Sequence, residues 1–231
     1  ILFERGRENF ATIHAQAPEK LAQHVHQAGV PRLLHMSALG LDRAKTSKYA
    51  KTKLMGERAV KAAFKDVTII RPSVIFGQED KFYNRFASLS RFAPALPLIG
   101  GGHTRFQPVY VGDVAEAFLT ALSLQETAGR TYELGGPEVM SFRQILESIL
   151  EITKRQTALV PVPYRLARFG ATFAQWLPHP PLTPDQVELL KYDNVVDPCA
   201  RGFDGLNIRP KHPDDIVPEY LAHYSSERRP A

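Results

Sequence analysis

A strand, a helix and a second strand follow one another in residues 32–77, which read RLLHMSALGLDRAKTSKYAKTKLMGERAVKAAFKDVTIIRPSVIFG. The apolar run at 32–37 has the length of a strand, and residues 46–65 place apolar side chains at helical spacing. The β-branched run at 67–70 predicts a second strand, which Pro72 ends. A helix between two strands is typical of a parallel pair in an α/β sheet.

The alternation continues on both sides of this segment. We predict further helices over 8–29, 80–92 and 112–124, and extended segments over 106–111 and 131–134. This order indicates a mostly parallel sheet with helices on both faces. The fold class is therefore α/β, with about three strands expected in the parallel sheet.

The part of the chain after residue 135 has a different composition. Eleven of the 18 prolines fall in 161–231, where strand signals are rare. Capping boxes at Ser141–Gln144 and Thr183–Gln186 predict the starts of two helices. We therefore divide the chain into a sheet domain, 1–135, and a smaller, mostly helical, proline-rich C-terminal region, 136–231.

The composition excludes several classes of protein. With 44% hydrophobic and 23% charged residues, the chain is neither disordered nor collagen-like, and its single cysteine excludes a disulfide scaffold. No apolar run reaches the roughly 18 residues that a membrane-spanning helix needs. The net charge of +5 is scattered along the chain, so it does not indicate nucleic-acid binding.

The sharpest chemical signal is the pair Tyr49 and Lys53, one helical turn apart behind a strand that ends in Ser37. A phenol in such a group acts as acid or base toward a carbinol, the ammonium lowers the phenol pKa, and the hydroxyl holds the substrate oxygen. One positive charge about 6 Å away, at an effective dielectric of about 20, would lower a phenol pKa from about 10 toward 8. The alternative is a surface lysine beside a half-buried tyrosine on an amphipathic helix.

Four motifs occur in order: the strand ending in Ser37, the pair Tyr49 and Lys53, the turn RPSVIFG at 71–77, and the helix start in QPVYVGDVAEAF at 107–118. Together they resemble the extended and atypical short-chain dehydrogenase/reductase superfamily of NAD-dependent epimerases and dehydratases. The turn carries phenylalanine where tyrosine is commoner in that superfamily. The resemblance implies a doubly wound, Rossmann-like parallel sheet that binds NAD or NADP.

By position, the resemblance places Tyr49 and Lys53 at the nicotinamide ribose. It places three residues beside the carboxamide: Pro72, Ser73 and Val74. In one alignment Ser37 is the catalytic serine, and Ser37, Tyr49 and Lys53 form the catalytic group. In the other alignment Ala38 takes that position, the triad is incomplete, and catalysis is disfavoured.

Two later segments narrow the resemblance: WLPHPPLTPDQVELLKYDNVVD at 176–197 and IVPEYLAHY at 216–224. They resemble the family of nucleotide-binding accessory subunits of respiratory complex I (NADH:ubiquinone oxidoreductase) and its bacterial relatives. This resemblance implies a protein that holds NADPH structurally without turning it over. It also implies a location in the cytoplasm or peripherally on the inner face of an energy-transducing membrane.

Residues 164–177, YRLARFGATFAQWL, carry an apolar stripe at helical spacing, flanked by two arginines: Leu166, Phe169, Phe173 and Trp176, with Arg165 and Arg168 off the stripe. One interpretation is an interfacial helix that touches lipid or a membrane-protein partner. The other is a helix whose stripe covers the sheet domain. The resemblance implies a position near the membrane arm, so that complex I or the membrane surface is the candidate partner of residues 164–177.

The GxxGxxG phosphate-binding loop of the superfamily does not occur in these 231 residues, and Gly100–Gly102 predicts a turn instead. About three strands stand where the architecture has about six. We therefore expect the chain to be the C-terminal part of the fold, without the first strands and their helices. On its own it is expected to bind a dinucleotide weakly or not at all, and it carries no residue that selects NAD over NADP.

The remaining candidates indicate structural roles. His24 and His26 do not share a helix face, so no metal site is predicted. His35 is expected to lie in the core, Cys199 to be inert, and Asp113 to stabilise a helix N-terminus. Three functions stay open: a non-catalytic dinucleotide-binding accessory protein, an active epimerase or reductase on a nucleotide sugar or similar substrate, and an interaction module.

Overall fold

The structure, a computed structural model, describes residues 1–5, 8–177 and 180–226. Helices occupy α1 (Ala17–Gln27), α2 (Lys48–Ala63), α3 (Tyr83–Leu89), α4 (Val111–Ser123), α5 (Phe142–Ile152), α6 (Tyr164–Ala174), α7 (Pro184–Leu189) and α8 (Pro213–Leu221). Strands occupy β1 (Leu34–Met36), β2 (Thr68–Pro72), β3 (Ile75–Phe76), β4 (Ala95–Ile99), β5 (Arg105–Phe106), β6 (Val109–Tyr110), β7 (Thr131–Leu134), β8 (Met140–Ser141) and β9 (Ala158–Val162). A π-helical segment, Ala11–Gln16, precedes α1.

The central sheet is parallel, with three strands in the order β1-β2-β7. Successive residues of β2 face opposite sides of this sheet. Ile69 packs in a cluster with Val60 of α2, whereas Ile70 packs in a cluster with Val114 of α4. The predicted α/β class and its three parallel strands are confirmed, with helices on both faces.

The helix α2 begins and ends close to its predicted limits. Ser47 caps it, because the Ser47 hydroxyl accepts a hydrogen bond from the backbone N–H of Ala50 at 3.1 Å. The helix ends at Ala63, and β2 follows and runs to Pro72. The strand–helix–strand order of residues 32–77 is therefore as predicted.

The first helix differs from the prediction of one continuous helix over 8–29. Ala11–Gln16 is π-helical, and α1 follows to Gln27. The π-helical backbone lies directly against α2 at Gly56, where a Cβ atom would collide with the carbonyl oxygen of His14. This close approach buries His14 against α2.

A second parallel pair joins β4 to β9, and the sequence predicts neither strand. Pro97 and Pro161 interrupt the strand pattern of the two segments. Proline is tolerated there because each strand of a two-stranded sheet has one unpaired edge. Leu96 and Leu98 point from β4 into a core that α5 and α8 complete.

The predicted turns and caps of the later chain are confirmed. Ser141 and Gln144 form a capping box at the start of α5, and Thr183 and Gln186 form one at the start of α7. Gly100–Gly102 is a turn in which all three residues have positive φ. Two residues of the segment 176–197, Pro178 and His179, lie outside the described residues.

Candidate functional site

The carboxyl ends of β1 and β2 form one edge of the central sheet. Ser37 follows β1 directly, and its backbone N–H donates to the Ile70 carbonyl oxygen at 2.8 Å. The backbone N–H of Leu39 donates to the carbonyl oxygen of Pro72 at 3.0 Å. Ser37 and Pro72 therefore lie side by side at the end of a parallel sheet at which ligands bind in α/β folds.

Lys53 extends from α2 to this same edge. Its Nζ donates a hydrogen bond to the carbonyl oxygen of Met36, the last residue of β1, at 2.9 Å. Burial lowers the pKa of Lys53, and the nearby Glu57 carboxylate acts in the opposite direction. The structure therefore brings the Lys53 ammonium to the carbonyl group of the residue that precedes Ser37.

Tyr49 lies one turn earlier on α2 and is half-buried against two aromatic rings that stack on each other. Its ring makes edge contacts with Phe10, at 5.9 Å between centroids, and with His14, at 5.1 Å. Burial raises the pKa of the Tyr49 phenol above its ordinary value. The predicted lowering of this pKa by Lys53 is therefore wrong, because burial disfavours the charged phenolate.

His14 is a site residue that the sequence analysis missed. It is buried, stacks on Phe10 at 5.0 Å between centroids, and places Nδ1 3.1 Å from the Thr52 Oγ1 on α2. Burial lowers the pKa of His14 to about 4, so the ring is neutral at pH 7. Its position depends on the close approach of two helices, which no local pattern in the sequence reports.

Glu57, one turn beyond Lys53, is the centre of a buried ionic network and is 2% exposed. Its carboxylate accepts hydrogen bonds from Arg71 at 2.7 and 3.0 Å and from Lys61 at 3.1 Å. Burial alone would raise the pKa of Glu57, but the bonds and charge of Arg71 lower it to about 2. The network ties α2 to β2 directly beneath the site.

The Ser37 hydroxyl lies against this network. It contributes to the low pKa of Glu57. Its Oγ is nevertheless buried without a hydrogen-bond partner of proper geometry among residues 1–5, 8–177 and 180–226. Buried hydroxyls are normally paired, so an unpaired one at a ligand-binding edge fits a group that a ligand completes.

Ser73 and Val74 lie at the same edge but are already engaged. The Ser73 hydroxyl donates to Asn194, with Oδ1 at 2.7 Å and the carbonyl oxygen at 3.0 Å. The Val74 carbonyl oxygen accepts from Val109 N–H at 2.9 Å. Asn194 also donates to the Leu39 carbonyl oxygen at 3.0 Å, so it joins the C-terminal region to both loops of the site. The sequence analysis missed this role of Asn194.

The other candidates are accounted for by local structure. Asp113 lies in the first turn of α4 and accepts a hydrogen bond from the Lys211 N–H at 2.7 Å, while burial raises the pKa of Asp113. His24 and Cys199 are exposed. Within the described part of the chain, no group of three or more His, Cys, Asp or Glu side chains is arranged to hold a metal ion.

A second candidate surface is the outer face of α6 and the turn after it. Ala167 and Ala171 face inward and pack with Ile99 and Val187. The apolar stripe points the other way and is largely exposed, at 61% for Leu166, 65% for Phe169, 64% for Phe173 and 84% for Trp176. The interpretation in which this stripe covers the sheet domain is therefore wrong. None of the described helices has the length and apolar character needed to cross a bilayer.

This chain is similar to one protein family, to named proteins that are related to it in sequence, and to solved structures with the same fold. Residues 4–135 match the NAD dependent epimerase/dehydratase family. The mitochondrial NADH dehydrogenase [ubiquinone] 1 alpha subcomplex subunit 9 of Arabidopsis thaliana is 32% identical over 96% of this chain and 58% of its own length. The mitochondrial NADH-ubiquinone oxidoreductase 40 kDa subunit of Neurospora crassa is 30% identical over 94% of this chain and 57% of its own length. The chain thus spans less than two thirds of these relatives.

Solved structures of much lower sequence identity share the fold of this chain. The dTDP-glucose 4,6-dehydratase DesIV of Streptomyces venezuelae, with NAD and TYD bound, is 18% identical with a TM-score of 0.69, covering 93% of this chain and 66% of that one. The UDP-glucose 4-epimerase of Thermotoga maritima, with UDP-glucose, is 17% identical with a TM-score of 0.67, covering 93% and 69%. Similarity at this level of identity concerns the fold alone.

Proposed function

The chain belongs to the NAD dependent epimerase/dehydratase family, and from this we propose that its Ser37, Tyr49 and Lys53 edge receives the nicotinamide end of NAD or NADP. Pro72, Ser73 and Val74 would border the carboxamide. The physiological role we propose is that of a non-catalytic accessory or assembly component of an NADH:ubiquinone oxidoreductase (complex I).

The observation that carries the cofactor proposal is the pair of groups at the end of β1. Lys53 Nζ lies 2.9 Å from the Met36 carbonyl oxygen, and the adjacent Ser37 Oγ, which lies against the Glu57 carboxylate, is buried without a well-formed hydrogen bond in the described part of the chain. A cation and such a hydroxyl at the carboxyl end of parallel strands suit the hydroxyls of a ribose or an amide of the cofactor. When bound, such a cofactor supplies hydride chemistry; Lys53 and Ser37 would bind and orient it.

Two observations favour a held cofactor over turnover. Tyr49 packs against the stacked rings of Phe10 and His14, and burial raises its pKa, so the phenol is a poor base near pH 7. In addition, relatives similar over nearly the whole chain carry names of complex I subunits. Since the chain spans only part of those relatives, the role in complex I is a proposal for this protein.

An active epimerase or reductase is the second candidate. It is favoured by the presence of all three residues of the catalytic group on one helix and the adjoining strand end. A bound cationic nicotinamide ring would add a positive charge near the phenol and would lower the Tyr49 pKa. The substrate would be a nucleotide sugar or a similar polar carbinol.

The proposed partner surface is the exposed stripe of α6 and Trp176. Contiguous exposed apolar side chains mark a contact with a protein or a membrane. Residues 164–177 would place the protein against complex I or the membrane surface, peripherally on the inner face of the energy-transducing membrane. The relatives named above are mitochondrial, which supports this location.

Binding of NADPH to the natural full-length protein, followed by its fluorescence, tests the cofactor site. Lys53→Met should weaken binding by about tenfold or more, because a hydrogen bond to a charged group contributes about 1.5–3 kcal/mol. Lys51→Met, two residues away on the exposed side of α2, is the matched control and should leave affinity unchanged. Equal affinities for the two variants would contradict the proposed site.

Turnover separates the two functions. If the protein holds its cofactor without turning it over, addition of nucleotide sugars should not change the NADPH absorbance. A change that Tyr49→Phe abolishes would establish the enzyme instead. Co-purification of the protein with membrane complex I, lost on Trp176→Ser and kept on Lys53→Met, would support the accessory role independently of the cofactor.

A further inference from the structure

A short segment of the C-terminal region, residues 192–197, lies across the carboxyl edge of the central sheet. It reads YDNVVD and comes two residues after the end of α7. Four of its residues form hydrogen bonds with the sheet domain: Asp193, Asn194, Val196 and Asp197. We call this segment the strap. The cofactor contacts proposed above do not involve it.

On one side the strap continues the pairing of β5. The Asn194 N–H donates to the Arg105 carbonyl oxygen at 2.8 Å, and the Gln107 N–H donates to the Asn194 carbonyl oxygen at 3.1 Å. These bonds form a parallel bridge between Phe106 and Asn194. The Asp193 carboxylate also accepts from the Arg105 guanidinium at 2.8 and 2.9 Å. The backbone of the strap is therefore fixed along β5.

On the other side the strap reaches the loop that follows β1. The Asn194 Nδ2 donates to the carbonyl oxygen of Leu39 at 3.0 Å. Tyr192 packs in the same apolar cluster as Ala38 and Tyr49. The strap therefore extends from β5 to the residues beside which a substrate carbinol would have to lie.

Between these two sides the strap engages polar groups that could otherwise hold a second ligand. The Ser73 hydroxyl donates to the Asn194 Oδ1 at 2.7 Å. The Gln107 side chain is bonded at both ends, because its Oε1 accepts from the Val196 N–H at 3.1 Å and its Nε2 donates to a backbone carbonyl oxygen at 2.8 Å. The Ser37 hydroxyl, in contrast, has no well-formed hydrogen bond in the described part of the chain. The edge thus keeps a group for a ligand beside β1, while the groups under the strap are already bonded within the chain.

We propose that the strap fills the substrate side of the dinucleotide edge and excludes a nucleotide sugar or similar carbinol from the bound nicotinamide, with Asn194 as the positioning residue that holds it there. The inference rests on the proposed function and deepens it, since it gives a physical reason for a cofactor that is held without turnover. A substrate would have to displace the Asn194 amide from both Ser73 and Leu39, which are buried. Their polar groups would then stay unpaired, at a cost in binding, unless the substrate bonded to them itself.

Amide hydrogen exchange of the natural full-length protein, without nucleotide, tests the role of Asn194. Asn194→Ala removes the two side-chain contacts but keeps both backbone bonds to β5. The Gln107 N–H should exchange about tenfold faster in this variant, because the closed strap loses two hydrogen bonds. The amides of β2 should keep their rates, which shows that the change is local. Asn84→Ala is the matched control, since the Asn84 amide bonds to the Gln78 carbonyl oxygen near α3, and it should change the Gln107 rate less than twofold.

Quenching of bound NADPH fluorescence by acrylamide tests what the strap covers. In the wild type the strap should shield the nicotinamide from the quencher. Asn194→Ala should raise the quenching constant by about threefold, because opening of the strap admits acrylamide to the ring. Asn84→Ala should leave the constant at the wild-type value. A merely structural role of Asn194 would not change this quenching.

The outcomes separate the strap from the cofactor site. Faster exchange at Gln107 with unchanged quenching would show that the strap does not cover the nicotinamide, and would overturn the inference while leaving the cofactor site in place. Unchanged exchange in Asn194→Ala would overturn the role of Asn194. A wild-type protein that binds no NADPH would overturn the proposed function, and the inference with it, whatever the exchange rates show.

Discussion

The helices α2 and α6 depart from the usual amphipathic pattern in opposite ways. α2 directs two charged side chains inward. Glu57 is only 2% exposed, and Lys53 extends to the carbonyl oxygen at the end of β1. α6 turns alanines inward, and with the turn that follows it exposes Phe173 and Trp176, the latter at 84%. Buried charge needs fixed partners, and exposed apolar surface indicates a partner outside the chain. The two departures mark the two surfaces to which we assign function.

The largest effect that this comparison predicts is on the buried carboxylate of α2. Glu57→Gln removes the buried charge that pairs with Arg71 and Lys61, and leaves Arg71 with only its longer contact to Glu133 at 3.3 Å. We expect the free energy of unfolding to fall by about 3–5 kcal/mol, as for a buried ion pair that loses one partner. Urea denaturation followed by circular dichroism measures it.

An exposed ion pair provides the control for that measurement. Glu147→Gln removes the partner of Arg143 in an i,i+4 pair at 3.6 Å whose side chains are about half exposed. The loss should stay within about 0.5 kcal/mol. If both variants unfold at the same urea concentration, the network under the site contributes no more than a surface pair, and the contrast with α6 disappears.

A smaller effect comes from the same substitution made once in each helix. Gly56→Ala on α2 places a Cβ against the His14 carbonyl, a backbone atom that cannot move aside, and should cost about 1–3 kcal/mol of unfolding free energy. Gly170→Ala on α6 meets no atom within 4 Å and should stabilise the protein by about 0.5–1 kcal/mol through helix propensity.

The sign of the change is the test for the glycine pair. Thermal unfolding should move in opposite directions for the two variants. A stabilising Gly56→Ala would mean that the π-helical segment does not lie against α2, and the burial of His14 beside Tyr49 would then lose its support. A destabilising Gly170→Ala would mean that other atoms pack against Gly170, where the structure has none within 4 Å of the added Cβ.

Local signals account for the parts that the sequence predicts well. Residues 32–77 carry their own strand, cap and helix signals, and the four-residue spacing of Tyr49 and Lys53 follows from helix geometry alone. The capping boxes at Ser141 and Thr183 are local in the same sense. Such features are formed within a few residues, so a single sequence is sufficient to predict them.

The features that the sequence analysis missed depend on distant parts of the chain. Asp185 meets the start of α2 across 137 residues, and Asn194 meets Ser73 across 121. The raised pKa of Tyr49 follows from rings that pack on it, which spacing along α2 cannot report. β9 was missed because Pro161 hides a strand whose pairing with β4 is decided by the core behind it.

The smallest predicted effect is on the pH dependence of stability. It should differ between the sheet edge beside α2, which contains His35, and α6. His35 in β1 has a buried Nε2 without a partner in the described residues, and burial, aided by Lys53, lowers its pKa to about 4. The charged groups that face it are Lys53 and Lys61, which oppose its protonation, and Glu57, which favours it. α6 contains no histidine, aspartate or glutamate.

The direction of this pH dependence follows from the two pKa values of His35. In the unfolded chain the ring takes up a proton near pH 6.5, whereas in the folded protein it stays neutral down to about 4. The unfolded state therefore binds more protons in this window, and His35 lowers stability as the pH falls from 6.5 to 4, by at most about 1.4 kcal/mol per pH unit. His35→Leu should flatten the curve of unfolding free energy against pH in that window, measured by urea denaturation at half-unit steps. Phe169→Ser on α6 should shift the curve without changing its slope, and an equal change of slope in both variants would show that the two regions do not differ in their response to protons.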